Sequence, residues 1–238
     1  MRKPSSTSPQ PEKSIYLAES LKQRSRYQLA FALMITAFCV ITVLNINSGS
    51  VAIPLKNILQ IIFLRIGDAT EYGIIWKIRL PRILLAAILG GALSLSGFLL
   101  QTFFRNPIAG PYVLGISSGA KMAVAVVMIY YLDRFNRVPS LALVITAFVG
   151  SLLATGFILL LSRKIKQMPV LLIAGIMIGY ICSAITDFIV TFADDADIVN
   201  LHSWSLGSFS GASWNDVHIA FWIVAVTFAL VFLLSKPI

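Results

Sequence analysis

The sequence predicts an all-α polytopic membrane protein with about six transmembrane helices, and three observations predict it. Hydrophobic residues make up 58% of the 238 and charged residues only 12%, against about 25% charged in an average soluble domain. Six stretches are apolar over the length a helix needs to cross a hydrocarbon core of roughly 30 Å. The Lys and Arg residues between them are unevenly shared, as membrane insertion requires. A net charge of +9 invites a nucleic-acid reading, but the cations stand between apolar spans, which excludes that partner.

The first 26 residues, MRKPSSTSPQPEKSIYLAESLKQRSR, are polar and rich in Ser, Pro and Lys/Arg. A secretory signal would place its apolar stretch sooner and follow it with a small-residue cleavage site. Residues 1–26 therefore read as a flexible cytoplasmic tail, with helical pattern near Ile15–Arg24, ahead of a transmembrane domain over 27–238. The six spans read as Tyr27–Ile46, Ile83–Phe104, Leu114–Leu132, Leu141–Ser162, Pro169–Phe192 and Val217–Leu234. With the N-terminus inside, twelve of the 19 Lys and Arg lie on inner segments, and seven of the ten acidic residues lie on outer ones. That asymmetry fixes the expected orientation.

The outer segment Asn47–Lys77 is long for a connection. Ile58, Leu59, Ile61, Ile62 and Ile66 alternate there with Lys56, Asn57, Gln60 and Arg65, which suits an amphipathic helix at the membrane surface or against the bundle. The second span carries no charge across the 22 residues between Arg82 and Arg105, and its middle is built of Gly90, Gly91, Ala92, Ser94, Ser96 and Gly97. Small residues let helix backbones approach, so this span is expected at the centre of the bundle. After it, Asn106-Pro107 and Gly110-Pro111 forbid a continuous helix. Irregular backbone at that depth needs partners, which Gln101, Arg105 and Asn106 can supply, either by holding a turn or by gating transport.

Cys39 and Cys182 both lie in apolar spans without partners at metal-ligand spacing, so neither a disulfide nor a metal site is expected. Asp187 is the one acid within a span, near its outer end, and a position on a wet pathway would relieve its cost. Asp194, Asp195 and Asp197 are expected in a solvated loop rather than as a cation site. Gly115-Ile116-Ser117-Ser118-Gly119 fits the Gly-x-Ser-x-Gly pattern of serine hydrolases and of rhomboid-like intramembrane proteases. The two histidines, His202 and His218, fall on the opposite side of the bilayer in this topology, so no base reaches Ser117. Gly115 and Gly119 are better read as a close-packing pair. A phosphate loop is absent too: three residues separate those glycines, and Ala-Lys follows.

The flanks of the second span carry a more specific signal. Arg79-Leu80-Pro81-Arg82 precedes it; Gln101, Arg105-Asn106-Pro107-Ile108-Ala109-Gly110-Pro111, Leu114-Gly115 and Gly119-Ala120 follow. In this order and spacing, over about 45 residues, the pattern resembles the FecCD/BtuC family, the membrane permeases of binding-protein-dependent ABC importers for iron-siderophores, haem and vitamin B12. The segment Trp204-Ser205-Leu206-Gly207-Ser208 with Ala212-Ser213-Trp214 resembles the family's Trp-x-x-Gly-Ser…Ser-Trp element near the outer mouth of the pathway.

The resemblance implies a non-enzymatic subunit of a bacterial cytoplasmic (inner) membrane, carrying an iron chelate of the siderophore type. It implies a homodimer or a heterodimer with a similar permease, an extracytoplasmic solute-binding protein outside, and ABC ATPase subunits inside that hold the ATP and Mg²⁺; this chain holds no cofactor. It places Arg79 and Arg82 opposite glutamates of the binding protein, and Asp187, Trp204, Gly207 and Ser208 along the pathway. Gln101, Arg105, Asn106, Pro107, Gly115 and Gly119 form its structural or gating turn. Two departures stand out. Lys121 occupies a position where the family has a small residue. The family also runs to about ten spans with a coupling segment after the sixth, so this chain is expected to be an N-terminal portion. A secondary transporter or channel without an ATPase is the alternative; it would call for several ionisable residues deep in the spans, where this chain has only Lys121 and Asp187 near span ends.

Overall fold

The computed structural model describes residues 10–135 and 140–234, and their regular structure is helical throughout. In chain order the α-helices are α1 (Gln10–Asn47), α2 (Leu55–Leu59), α3 (Ala69–Gly73), α4 (Leu80–Phe104), α5 (Ile116–Phe135), α6 (Ser140–Ser162), α7 (Met168–Val190), α8 (Asp195–Leu206) and α9 (Trp214–Leu234). Wider π-helical turns over Gln60–Leu64 prolong α2, and a second such segment, Ile74–Arg79, joins α3 to α4. Ala69–Phe104 is therefore one helical run of 36 residues. The second π segment has a cause: Pro81 has no N–H to give and its ring crowds the carbonyl four residues back, and a widened turn ahead of it absorbs the misfit.

Among the described residues, five helical runs are long and apolar enough to cross a membrane: Lys22–Asn47, Ala69–Phe104, Leu141–Ser162, Met168–Val190 and Trp214–Leu234. The stretch expected as the third span forms α5, whose apolar part, Ile116–Tyr130, is shorter than the others. Residues 10–26 belong to α1, and residues 1–9 lie outside the described residues. One expectation needs correcting at the element level. The aspartates 194, 195 and 197 do not sit in a loop. Asp194 is the N-cap of α8, and Asp195 and Asp197 occupy its first turn, where carboxylates face the positive end of the helix dipole.

Contacts divide the chain into two compact units, Met1–Ile83 and Leu84–Ile238. The first unit is built on the hairpin between α1 and α4. Ile46, Ile53, Ile58, Ile61 and Ile75 form its buried core, with Tyr72, Trp76 and Leu80 packed around them. Arg65 turns the chain in the left-handed region at φ 57°, and Asp68 Oδ2 accepts from Thr70 N at 3.2 Å to start α3. Asn57 Nδ2 donates to the Glu71 carboxylate at 3.1 Å, and the Arg65 guanidinium lies 5.6 Å from the Trp76 ring centroid.

In the second unit the packing centre is α5, and this corrects the expectation of a central second span. Gly119 of α5 and Gly150 of α6 meet so closely that a Cβ on Gly119 would come within 2.9 Å of the Gly150 carbonyl. A Cβ on Gly115 would reach the Gly179 amide nitrogen of α7 at 2.7 Å. Gly90, Gly91 and Gly97 of α4, by contrast, have nothing within 4 Å of an added Cβ, and none of the most apolar 18 residues of that run is buried. The three glycines of α4 thus have room for a side chain in this chain. Hydroxyls along the spans turn back on their own helices: Ser94 donates to Gly90 O, Thr155 to Ser151 O and Thr186 to Cys182 O. A hydrocarbon environment offers no water to satisfy them otherwise.

Candidate functional site

Arg79 and Arg82 enter α4 differently. Arg79 is buried, and its guanidinium donates to two backbone carbonyls: Nη1 to Ile46 O and Nη2 to Val51 O. Ile46 belongs to the last turn of α1, whose final carbonyls have no partner within the helix. Gly49 makes room for this arrangement, since a Cβ there would stand 2.6 Å from Arg79 Nη2. The planar guanidinium suits the task because it presents several donors in a fixed fork. The Arg79 fork is thus engaged by two carbonyls inside the first unit. Arg82, one turn on, is half-buried.

The turn after α4 is built by backbone and Asn106. Arg105 takes the left-handed conformation at φ 48°. Its N–H reaches Thr102 O at 3.3 Å, and Asn106 N–H reaches Gln101 O at 3.1 Å. This is the Schellman pattern of helix termination, with an arginine where glycine is usual. Asn106 Oδ1 then accepts from Ile108 N at 2.9 Å and Asn106 O from Ala109 N at 3.2 Å, folding Pro107 into a tight turn. The side chains of Gln101 and Arg105 stay exposed. Gly115, at φ 72°, gives α5 its start directly against α7. Ala109 and Leu114 seal the turn into a core with Phe104, Ile158, Leu171 and Ile178.

At the other end of the second unit, Trp204 packs on Val124, Ala125, Met128 and Leu201. Gly207 ends α8 at φ 74°, ψ 150°, a conformation that side chains resist. Ser208 Oγ donates to Ser210 Oγ at 2.9 Å. Asp187 is exposed on α7, one turn before Val190, which joins the cluster around Trp204. A cavity of about 450 Å³ opens nearby between Tyr130, Phe192, Asp194 and Asp197. Ser117 lies seven residues ahead of Val124, where the α8 cluster begins, roughly 10 Å along α5. His202 follows Leu201, a member of that cluster, on α8.

These features can be set against known proteins. The FecCD transport family matches residues 34–238. The chain belongs to the FecCD transport family. The vitamin B12 import system permease protein BtuC of Klebsiella pneumoniae is 37% identical over 164 residues, 69% of this chain and 48% of its own length. The hemin transport system permease protein HmuU of Yersinia pestis is 38% identical over 169 residues, with 69% of this chain and 50% of its own covered. The chain thus spans about half the length of the curated relatives it matches. A solved structure described as an inward-facing conformation of a transporter assigned to the metal-chelate ABC type shares the fold, with a TM-score of 0.68, 23% identity, and coverage of 87% of this chain and 62% of that one.

Several supports of this FecCD chain escape a reading of the family's motifs. The partners of Gly115 and Gly119 are Gly175, Gly179, Gly150 and Ala154; the Gly175-x-x-x-Gly179 spacing is the signal that points to one of those contacts. Ser213 and Asp216 cap α9 reciprocally, Ser213 N donating to Asp216 Oδ2 at 2.9 Å and Asp216 N to Ser213 Oγ at 3.4 Å. Serine followed three residues later by an acid before an apolar run marks that start. Nothing in the local sequence of Arg79 marks Ile46 and Val51 as its acceptors.

Proposed function

We propose that this chain is part of a membrane-spanning permease subunit of an ABC importer. It moves a large chelate of the vitamin B12, haem or iron-siderophore class from an extracytoplasmic binding protein into the cytoplasm. The observation that carries the reading is the FecCD match over residues 34–238, with permease proteins of two import systems among the relatives. The iron-siderophore class is favoured by the resemblance of residues 77–121, and vitamin B12 and haem by the relatives' names. In this reading the N-terminus is cytoplasmic and the membrane is the bacterial inner membrane.

The geometry supports a division of work around the second span. Arg79 holds the hairpin to α1, and Arg82 faces the binding protein, where a guanidinium meets a carboxylate with two parallel hydrogen bonds. The turn Gln101–Gly119 supports the inner end, with Arg105 exposed toward the ATPase side. Asp187, Trp204, Gly207 and Ser208 border the outer mouth. ATP and Mg²⁺ act on separate ATPase subunits, and a second permease, identical or similar, completes the pathway.

The test is co-purification of the tagged protein from native membranes, followed by uptake of cobalamin, haem and a ferric siderophore into vesicles loaded with ATP. Recovery of an ABC ATPase and a solute-binding protein, with ATP-dependent uptake of one chelate, is expected. Uptake driven by an ion gradient with no ATPase recovered would establish the secondary-transporter alternative instead.

A further inference from the structure

A groove runs along the face of α6 that is turned away from α5. Leu152, Leu153, Gly156, Phe157 and Leu160 line it, Arg163 closes one end, and its volume is about 510 Å³. Leu153, Gly156, Leu160 and Arg163 follow one another at helical spacing, so the groove is a single stripe of the helix. The leucines and Phe157 are each more than half exposed, and Gly156 has nothing within 4 Å of an added Cβ. The opposite stripe of α6 is the one packed tightly on α5 through Gly150 and Ala154.

The polar end of this groove is cationic and unbalanced. Arg163, Lys164 and Lys166 are all exposed just beyond the last turn of α6. No Asp or Glu occurs anywhere between Asp133 and Asp187, so no acid of the α6–α7 hairpin offsets them. From Leu152 to Arg163 the helix rises about 17 Å, close to the roughly 15 Å depth of one leaflet of the hydrocarbon core. An apolar stripe one leaflet deep, widened by a glycine and ending in three cations, has the shape and charge of a phospholipid with an anionic headgroup.

We propose that this stripe is a binding site for an anionic phospholipid, one acyl chain lying against Leu153, Gly156, Phe157 and Leu160 and the phosphate meeting Arg163. Lys164 and Lys166 add attraction that a zwitterionic headgroup cannot return, since basic residues at a membrane surface select anionic lipid. Gly156 is the steric half of the site and Arg163 the electrostatic half. The site is independent of the transported substrate.

The experiment titrates the purified full chain in detergent with dioleoyl-phosphatidylglycerol or dioleoyl-phosphatidylcholine and reads lipid adducts by native mass spectrometry. The wild type is expected to hold the glycerol lipid several-fold more tightly. Arg163→Gln should lower that affinity about fivefold, the effect of one surface cation, and weaken the choline lipid less, because its own ammonium already offsets the phosphate that meets Arg163. Gly156→Leu should weaken both lipids by filling the groove. Both positions leave the α5 contact untouched, and unchanged circular dichroism verifies folding. Equal retention of the two lipids by the wild type overturns the proposal, as does undiminished phosphatidylglycerol binding by Arg163→Gln. Unchanged binding of both lipids by Gly156→Leu would do the same for the groove.

Discussion

Arg79 shows how far a single side chain can depart from its local context. Its acceptors lie 33 and 28 residues upstream, so the sequence marks the arginine and conceals its partners. Replacing it with lysine puts one compact ammonium where a fork bridged two carbonyls. Arg79→Lys is expected to lower stability by about 2–3 kcal/mol, the scale of losing a charge-assisted hydrogen bond at a buried site. Thermal unfolding of the purified protein in detergent checks it. Gly49→Ala should cost about 1 kcal/mol by displacing the guanidinium from its carbonyls. Arg105 points the other way. A non-glycine residue at φ 48° carries a strain of about 1 kcal/mol, so Arg105→Gly should raise the melting midpoint, and an unchanged or lower midpoint would mean that the arginine side chain contributes more than the turn costs.

Helices disagree with their composition in an instructive way. α4 holds the densest group of small residues in the chain, and composition made it the expected centre; the centre of the second unit is α5. Small residues state that a backbone can be approached, never which partner approaches. The contacts of Gly115, Gly119 and Gly150 are settled by which faces of α5, α6 and α7 meet, a long-range matter that a run of glycines does not encode. The contrast predicts opposite outcomes for one kind of substitution. Gly150→Leu drives a side chain into the Gly119 backbone and should cost about 3 kcal/mol or more, in the range of severe overpacking, read as loss of the folded species on size-exclusion chromatography. Gly91→Leu should leave the unfolding free energy of this chain within about 0.5 kcal/mol of wild type, as open positions do.

For the whole molecule, the features legible in sequence were those set by the bilayer: helical class, four of the five membrane-length runs to within about five residues, and family. Each follows from length and hydropathy or from motif order, which are local. The division into two units and the continuity of Ala69–Phe104 through Pro81 were not legible, because a proline ordinarily reads as a stop and the π turn that accommodates it has no sequence mark. At this scale the docking reading makes its own prediction. Arg82→Glu in the assembled importer should slow association with the binding protein by about tenfold at low salt, since charge complementarity acts chiefly on encounter rate. Stopped-flow measurement of docking, with membrane insertion verified by fractionation, checks it; an unchanged rate would assign Arg82 to anchoring at the interface.

The bond pair at Arg79 also has a mechanical meaning. Ile46 O closes α1 and Val51 O opens the hairpin, and one rigid guanidinium holds both. Tension applied to the hairpin therefore reaches the end of α1 through two bonds loaded side by side, which must yield together rather than one after the other. A partner that pulls on residues 55–76 pulls on the first membrane span as well, and the protein has there a stiff coupling made from a single residue.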